Sequence, residues 1–203
     1  MMKLRFAATS PYVRKVAVLL HETGQFADVE LVPTQVWDPA TDIAADNPLG
    51  KVPALILDDG TVLFDSPVIC EYLDAQHDGE TLFPAPGPER WAALRLQALA
   101  DGGLDALLLR RMEGLREPAQ QSESWIARQT AAADRCFDVL EQETAALDGT
   151  LSIGTITVGC LLGYRDFRFD GDGWRKGRPK LAAWYETFAQ RPSMLATVPK
   201  DPA

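Results

Sequence analysis

The chain has few of the residues that build the commonest reactive centres. Three cysteines, Cys70, Cys136 and Cys160, and two histidines, His21 and His77, are scattered through 203 residues. An odd number of widely spaced cysteines makes no disulfide framework and fits a reducing compartment. The histidines have no ligand companions, so no metal site is expected. Asp166, Asp170 and Asp172, with Gly171 and Gly173, miss the order of a calcium loop and read as a connection. Positive charge is scarce: 20 Lys and Arg against 29 Asp and Glu leave a net charge of −9. That balance, with a pI near 4.7, argues against a nucleic-acid binder, which would show a basic face, and disfavours anionic membranes. No apolar run approaches the roughly 20 residues of a membrane span. The opening Met1-Met2-Lys3-Leu4-Arg5-Phe6 is basic but lacks the apolar core of a secretory signal. The expectation is a soluble, cytoplasmic protein without repeats or low-complexity tracts.

What remains is an ordinary globular composition, 46% hydrophobic and 24% charged, long enough for one large or two small domains. Lys3 to Ala7 reads as a strand. Ser10-Pro11 caps a helix with Val13, Val16, Ala17 and Leu20 as its buried stripe, ended by Gly24. Val29 to Val32 is a second strand, parallel to the first through a right-handed crossover. After a polar loop through Trp37 and Asp46, Ala54–Leu57 and Thr61–Phe64 flank Asp58-Asp59-Gly60 as a hairpin. A helix from Pro67 should turn Val68, Ile69, Tyr72 and Leu73 inward. Strand–helix–strand, then hairpin and helix, is the thioredoxin-like order. Residues 78–88 are rich in Gly, Pro and charge and form a linker. Beyond them the patterns are helical: 89–116, 123–147, 153–164 and 179–190, the third nearly uncharged and therefore the buried helix of a bundle. The predicted fold is α/β plus all-α. A thioredoxin-like domain spans residues 1–77 and an all-helical domain residues 89–203.

The most telling stretch is Asn47-Pro48-Leu49-Gly50-Lys51-Val52-Pro53, with Asp65-Ser66-Pro67 after it. Pro53 cannot donate to a ladder and belongs at a strand's first residue or edge. At such a corner a cis Val52–Pro53 bond is expected, which would turn the backbone N–H and C=O of Val52 outward to pair with an extended peptide. Ser66-Pro67 reads as a helix start with Ser66 as N-cap, whose free amides and positive dipole end suit a carboxylate. Lys51 stands beside both. Together they describe a site for a small anionic peptide.

These residues resemble the glutathione site of the glutathione S-transferase family. The likeness includes Thr9-Ser10-Pro11-Tyr12-Val13-Arg14-Lys15-Val16 near the start and Gly163-Tyr164-Arg165-Asp166-Phe167-Arg168 late in the chain, as in small bacterial serine-type members. It implies glutathione as co-substrate, a small hydrophobic electrophile as acceptor, a homodimer, and no metal. It implies that Lys51, Val52, Pro53, Asp65 and Ser66 hold glutathione. Lys51 would meet the glycyl carboxylate, Ser66 the γ-glutamyl carboxylate and Asp65 the ammonium, although Asp is a methylene shorter than the Glu or Gln commoner there.

The reaction of that family is attack by the glutathione sulfur. Only the thiolate attacks well, and a free thiol has a pKa of about 8.5. A hydroxyl donor and the positive end of the first helix would stabilise the anion. Ser10 is the first choice for the hydroxyl and Thr9 the second. A Ser before Pro at a helix start is a cap in any case, and that structural role stands beside the catalytic one. Tyr12 is a further donor candidate, and otherwise lines the mouth of the acceptor pocket or packs on the helix. Asp101, in Ala100-Asp101-Gly102, resembles a segment that reaches the active site in some classes. Arg110 and Arg111 read as surface arginines that could favour an acidic co-substrate. Serine in place of the Cys of glutaredoxin-like relatives excludes mixed-disulfide chemistry at residue 10; Cys70 and Cys160 read as small core residues, and Cys136 sits in a helix with mixed neighbours and no partner motif. In Ser152-Ile153-Gly154-Thr155 a Thr replaces the acid of the family's capping pattern, so this corner should be soft. Isomerase, dehalogenase or peroxidase chemistry on the same scaffold, or a non-enzymatic partner-binding role, stand as alternatives.

Overall fold

The computed structural model describes residues 1–149 and 151–201. Thr150, Pro202 and Ala203, which the helical domain was expected to include, lie outside the described residues. The chain divides into two compact units, one of Met1–Phe83 joined by the segment from Pro192 onward, the other of Pro84–Arg191.

In the first unit, strand β1 (Met2–Phe6), helix α1 (Pro11–Glu22) and strand β2 (Val29–Pro33) form a parallel βαβ unit, with Leu4 opposite Leu31. Parallel strands need such a crossover, and the α1 sequence supplies it. The whole stretch Val13–Leu20 is buried, wider than the four-residue stripe the spacing predicts. Each Val or Leu so buried contributes roughly 1.5–3 kcal/mol. Strand β3 (Ala54–Ile56) runs antiparallel to β1, and β4 (Val62–Leu63) antiparallel to β3, giving the order β2-β1-β3-β4. The short helix α2 (Ile43–Asp46), in the stretch expected to be loop, is pinned by Ile43, which is buried, and by Arg5 of β1, which pairs with Asp42 and Asp46.

Helix α3 (Ser66–Asp74) corrects two expectations. Asp65, not Ser66, is the N-cap residue, so Ser66 is the first helical residue and Pro67 the second, a position equally free of intrahelical N–H demand. Val68 is 47% exposed; the inward stripe is Ile69, Cys70 and Leu73, one step round the helix, with Tyr72 half-buried. Asp74 closes the unit: its buried carboxylate accepts from Leu82 N at 2.7 Å and Phe83 N at 2.9 Å. The last helix, which the sequence reading missed, is α8 (Pro192–Ala196), returning to pack on α1. Ser193 Oγ donates to Glu22 near the end of α1, and Arg14 Nη2 donates to Met194 O at 3.1 Å near its start.

The second unit packs α4 (Pro88–Gly114) against α5 (Glu123–Gln142) and α6 (Ile153–Phe169), with α7 (Pro179–Phe188) beside α5. Helix α6 is buried throughout from Ile153 to Arg165, the expected central helix, and runs five residues past the predicted end at Tyr164. Its charged extension survives because Arg165, 2% exposed, meets Asp172 at 3.0 Å and spans the Phe137 and Phe169 rings. Helix α5 ends before its predicted limit, in a 3₁₀ turn at Thr144–Ala146.

The start of α6 is tighter than expected. Ser152 Oγ accepts from Thr155 N, and Thr155 Oγ1 accepts from Ser152 N at 2.9 Å, so the box closes without an acid. Gly154 is required there: a Cβ would lie 2.8 Å from Ala93 O and 2.9 Å from Leu96 Cβ of α4. At Gly103 in α4 the fit is tight but less strict: a Cβ would stand 3.0 Å from Cys136 Sγ, a side-chain atom. Among the described residues no helix is long and apolar enough to cross a membrane, and no three His, Cys, Asp or Glu side chains cluster as metal ligands.

Candidate functional site

Strand register brings three stretches of the first unit to one edge of the sheet. Ala54 pairs with Arg5 at the end of β1, so Val52-Pro53 stands beside the point where the chain leaves the sheet for Ser10. Leu63 pairs with Leu55, so β4 leads out at the same end into Asp65 and Ser66. The N-termini of α1 and α3 and the turn before β3 therefore share that edge. Two helix starts with unsatisfied amides, beside an exposed lysine, suit the carboxylates of an extended ligand.

Each stretch is built locally. Ser10 has extended backbone (φ −82°, ψ 121°) and its Oγ accepts from Val13 N at 3.3 Å. This cap uses an oxygen lone pair and leaves the hydroxyl proton free to donate, so capping and donation to a sulfur are compatible. Thr9, half-buried, lies in the turn before it, and Tyr12, also half-buried, in the first turn of α1. The loop before β3 is shaped by Asn47, which is 1% exposed. Its Nδ2 donates to Lys51 O at 2.8 Å, while its Oδ1 accepts from Leu49 N at 3.0 Å. That holds the Lys51 backbone and leaves the Lys51 side chain in solvent, paired with no acid among the described residues. Val52 is half-buried and Pro53 buried; the Val52–Pro53 bond is cis, as expected, and so is Phe64–Asp65. Asp65 is exposed and makes no capping bond with its side chain, whereas Ser66 is 1% exposed. Asp101 sits half-buried on α4, in the second unit.

The three cysteines are buried and form no disulfide among the described residues. Burial pushes the Cys136 thiol up to about 12, and its Sγ donates to Leu99 O at 3.4 Å, so it stays protonated and unreactive at neutral pH. Arg110, read as a surface arginine, is tied to Asp172 and lies over the Phe169 ring. Sequence reading missed the structural use of Arg14. An Asn before Pro signals a turn, but a buried Arg inside a helix carries no sequence signal of its partners.

A family model described as Glutathione S-transferase, N-terminal domain, matches residues 9–76, and one described as Glutathione S-transferase, C-terminal domain, matches residues 123–187. Among curated proteins, an uncharacterised GST-like protein of Escherichia coli K12, YibF, is 37% identical over 98% of each chain. The chain belongs to the glutathione S-transferase family. A glutathione transferase family member from Pseudomonas fluorescens Pf-5, solved with bound glutathione, superposes with a TM-score of 0.95 at 49% identity, covering 99% of this chain and all of that one. A second structure of such a protein from the same strain holds S-(propanoic acid)-glutathione, with a TM-score of 0.91 at 49% identity over the same shares. The thioredoxin-like amino-terminal part and helical carboxy-terminal part are thus those of the family. Thr9, Ser10, Tyr12, Lys51, Val52, Pro53, Asp65 and Ser66 all fall inside the first match, and Asp101 falls between the two.

Proposed function

We propose that the protein is a glutathione S-transferase that binds glutathione along Lys51, Val52, Pro53, Asp65 and Ser66 and presents its sulfur to Ser10. The observation that carries this is the convergence of Ser10, Val52-Pro53 and Asp65-Ser66 at one sheet edge, imposed by register. The backbone of Val52 pairs with the peptide as an added strand. The start of α3 at Ser66 receives the γ-glutamyl carboxylate, Asp65 its ammonium, and Lys51 the glycyl carboxylate.

The thiol loses its proton to solvent. The Ser10 hydroxyl and the positive end of α1 hold the thiolate, with Thr9 the second donor. The sulfur lone pair then forms the C–S bond to a small hydrophobic electrophile beside Tyr12. A leaving group departs with its electron pair, or, in an addition, the adjacent carbon takes up a proton. A glutathione thioether bound by a 49%-identical relative supports conjugation. The protein works in the cytoplasm as a homodimer, without metal.

Isothermal titration with glutathione tests the reading. The wild type should bind saturably and Ser66→Ala should bind more weakly; Ser10→Ala should keep binding but lose thiolate absorbance, with Thr9→Ala having the smaller effect. A folded wild type that binds no glutathione would overturn it.

A further inference from the structure

The most isolated charge in the first unit is Arg14. It is 7% exposed. Its Nη2 donates to Met194 O at 3.1 Å and its Nε to Thr197 Oγ1 at 3.4 Å, both neutral acceptors. Its Nη1 is buried without a hydrogen-bond partner among the described residues, and no carboxylate pairs with it there. A buried cation without a counter-ion is costly, and folds rarely keep one idle.

Several titratable groups stand around Arg14. On α1 itself are Tyr12, Lys15, fully buried, His21, and Glu22, which accepts from Ser193. From α3 come Glu71, Tyr72 and Asp74, the last committed to Leu82 and Phe83. The 3₁₀ turn at Phe26–Asp28 brings Asp28, and α8 brings no titratable side chain.

Arg14 lies one turn into α1 from Ser10, its backbone N donating to Ser10 O at 3.0 Å. Ser10 caps the helix on which Arg14 stands, and helical side chains lean toward the N-terminus. The offset along the axis is about 6 Å. We propose that Arg14 is the standing positive charge behind Ser10, and that the counter-ion it lacks is the thiolate of bound glutathione. This rests on the reading that the glutathione sulfur sits at Ser10. Arg14 does not touch the sulfur; it acts through the low-dielectric interior and is a positioning residue for charge. The thiol proton passes to solvent, and Arg14 stays protonated throughout.

The test follows thiolate absorbance against pH at saturating glutathione in wild type, Arg14→Gln, Arg14→Lys and Thr197→Val. Arg14→Gln should still bind glutathione, with roughly tenfold less thiolate at a pH below its titration midpoint, the effect of removing a near opposite charge. Arg14→Lys keeps the charge and should titrate close to wild type. Thr197→Val removes an anchor and no charge, and should leave the midpoint in place. A folded Arg14→Gln titrating like wild type would make Arg14 an anchor only, as would a Thr197→Val shift of equal size. If Arg14→Gln does not fold, Arg14→Lys decides: a midpoint moved to that of free glutathione overturns the proposal. Absence of glutathione binding by wild type would instead remove the underlying reading, and this proposal with it.

Discussion

At the scale of single residues, what a side chain spends on structure decides what it has left for chemistry. Ser10 spends a lone pair on Val13 N and keeps its proton. Ser10→Ala should therefore cost about 1 kcal/mol of stability for the cap, separable by denaturant titration from its effect on the thiolate. Cys136 spends everything on packing. With its thiol pushed up to about 12 by burial, it should resist alkylation in the native protein and react only on unfolding, which mass spectrometry after iodoacetamide treatment would show. Residue types were legible here, and neighbours across the chain were not. Nothing in the sequence around Asp74 tells that it receives two amides from residues 82 and 83. Val68 and Cys70 look interchangeable on a three-turn pattern, and only the packed face shows that the cysteine is inside.

At the scale of elements, long periodic segments were readable and short ones were not. Helices α1, α4, α5, α6 and α7 all appear in the sequence as patterned runs, whereas α2 and α8 have four and five residues, too few for a period to show. Local propensity misleads at the start of α6. Gly154 looks like a weakness worth about 1 kcal/mol against Ala. The Ala93 carbonyl and Leu96 Cβ, however, leave no room for a methyl group, and a backbone carbonyl in a packed helix cannot yield. Overpacking costs typically 1–3 kcal/mol, so Gly154→Ala should destabilise despite its better propensity. Thermal unfolding should show a lower Tm, by about 2–4 °C for each kcal/mol lost in a chain of this size. Ser152→Ala should cost about 1 kcal/mol by opening the reciprocal cap. The α7 start is held from a distance: Glu141 of α5 accepts from Lys180 N at 3.2 Å and Leu181 N at 2.7 Å, a cap that no local motif announces.

At the scale of the whole molecule, the acid excess sets how the fold responds to pH. Hydrogen bonds from Arg110 lower the Asp172 carboxyl and those from Arg95 lower Glu143, while the Ser122 backbone amide lowers Glu113. Each folded-state pKa lies below its ordinary value of 3.8 or 4.5. The unfolded chain therefore takes up protons first as pH falls. The stabilisation from these groups is complete above about pH 5 and is lost progressively as pH drops through the lowered values. Asp172→Asn should lower stability at neutral pH, because Arg165 loses its near partner, and should flatten the acid side of the profile in urea melts. The overall architecture was legible because two domain-scale patterns, alternating strands and then helices only, are written in hydrophobic spacing. The return of residues 192–197 to α1 was not, because it depends on contacts between the two ends of the chain. That return has a consequence for the order of events during synthesis. A nascent chain released from the ribosome as far as Phe83 has every strand of its sheet, yet Arg14 and Glu22 still wait for Met194, Thr197 and Ser193. The half that is made first is thus the half that is finished last.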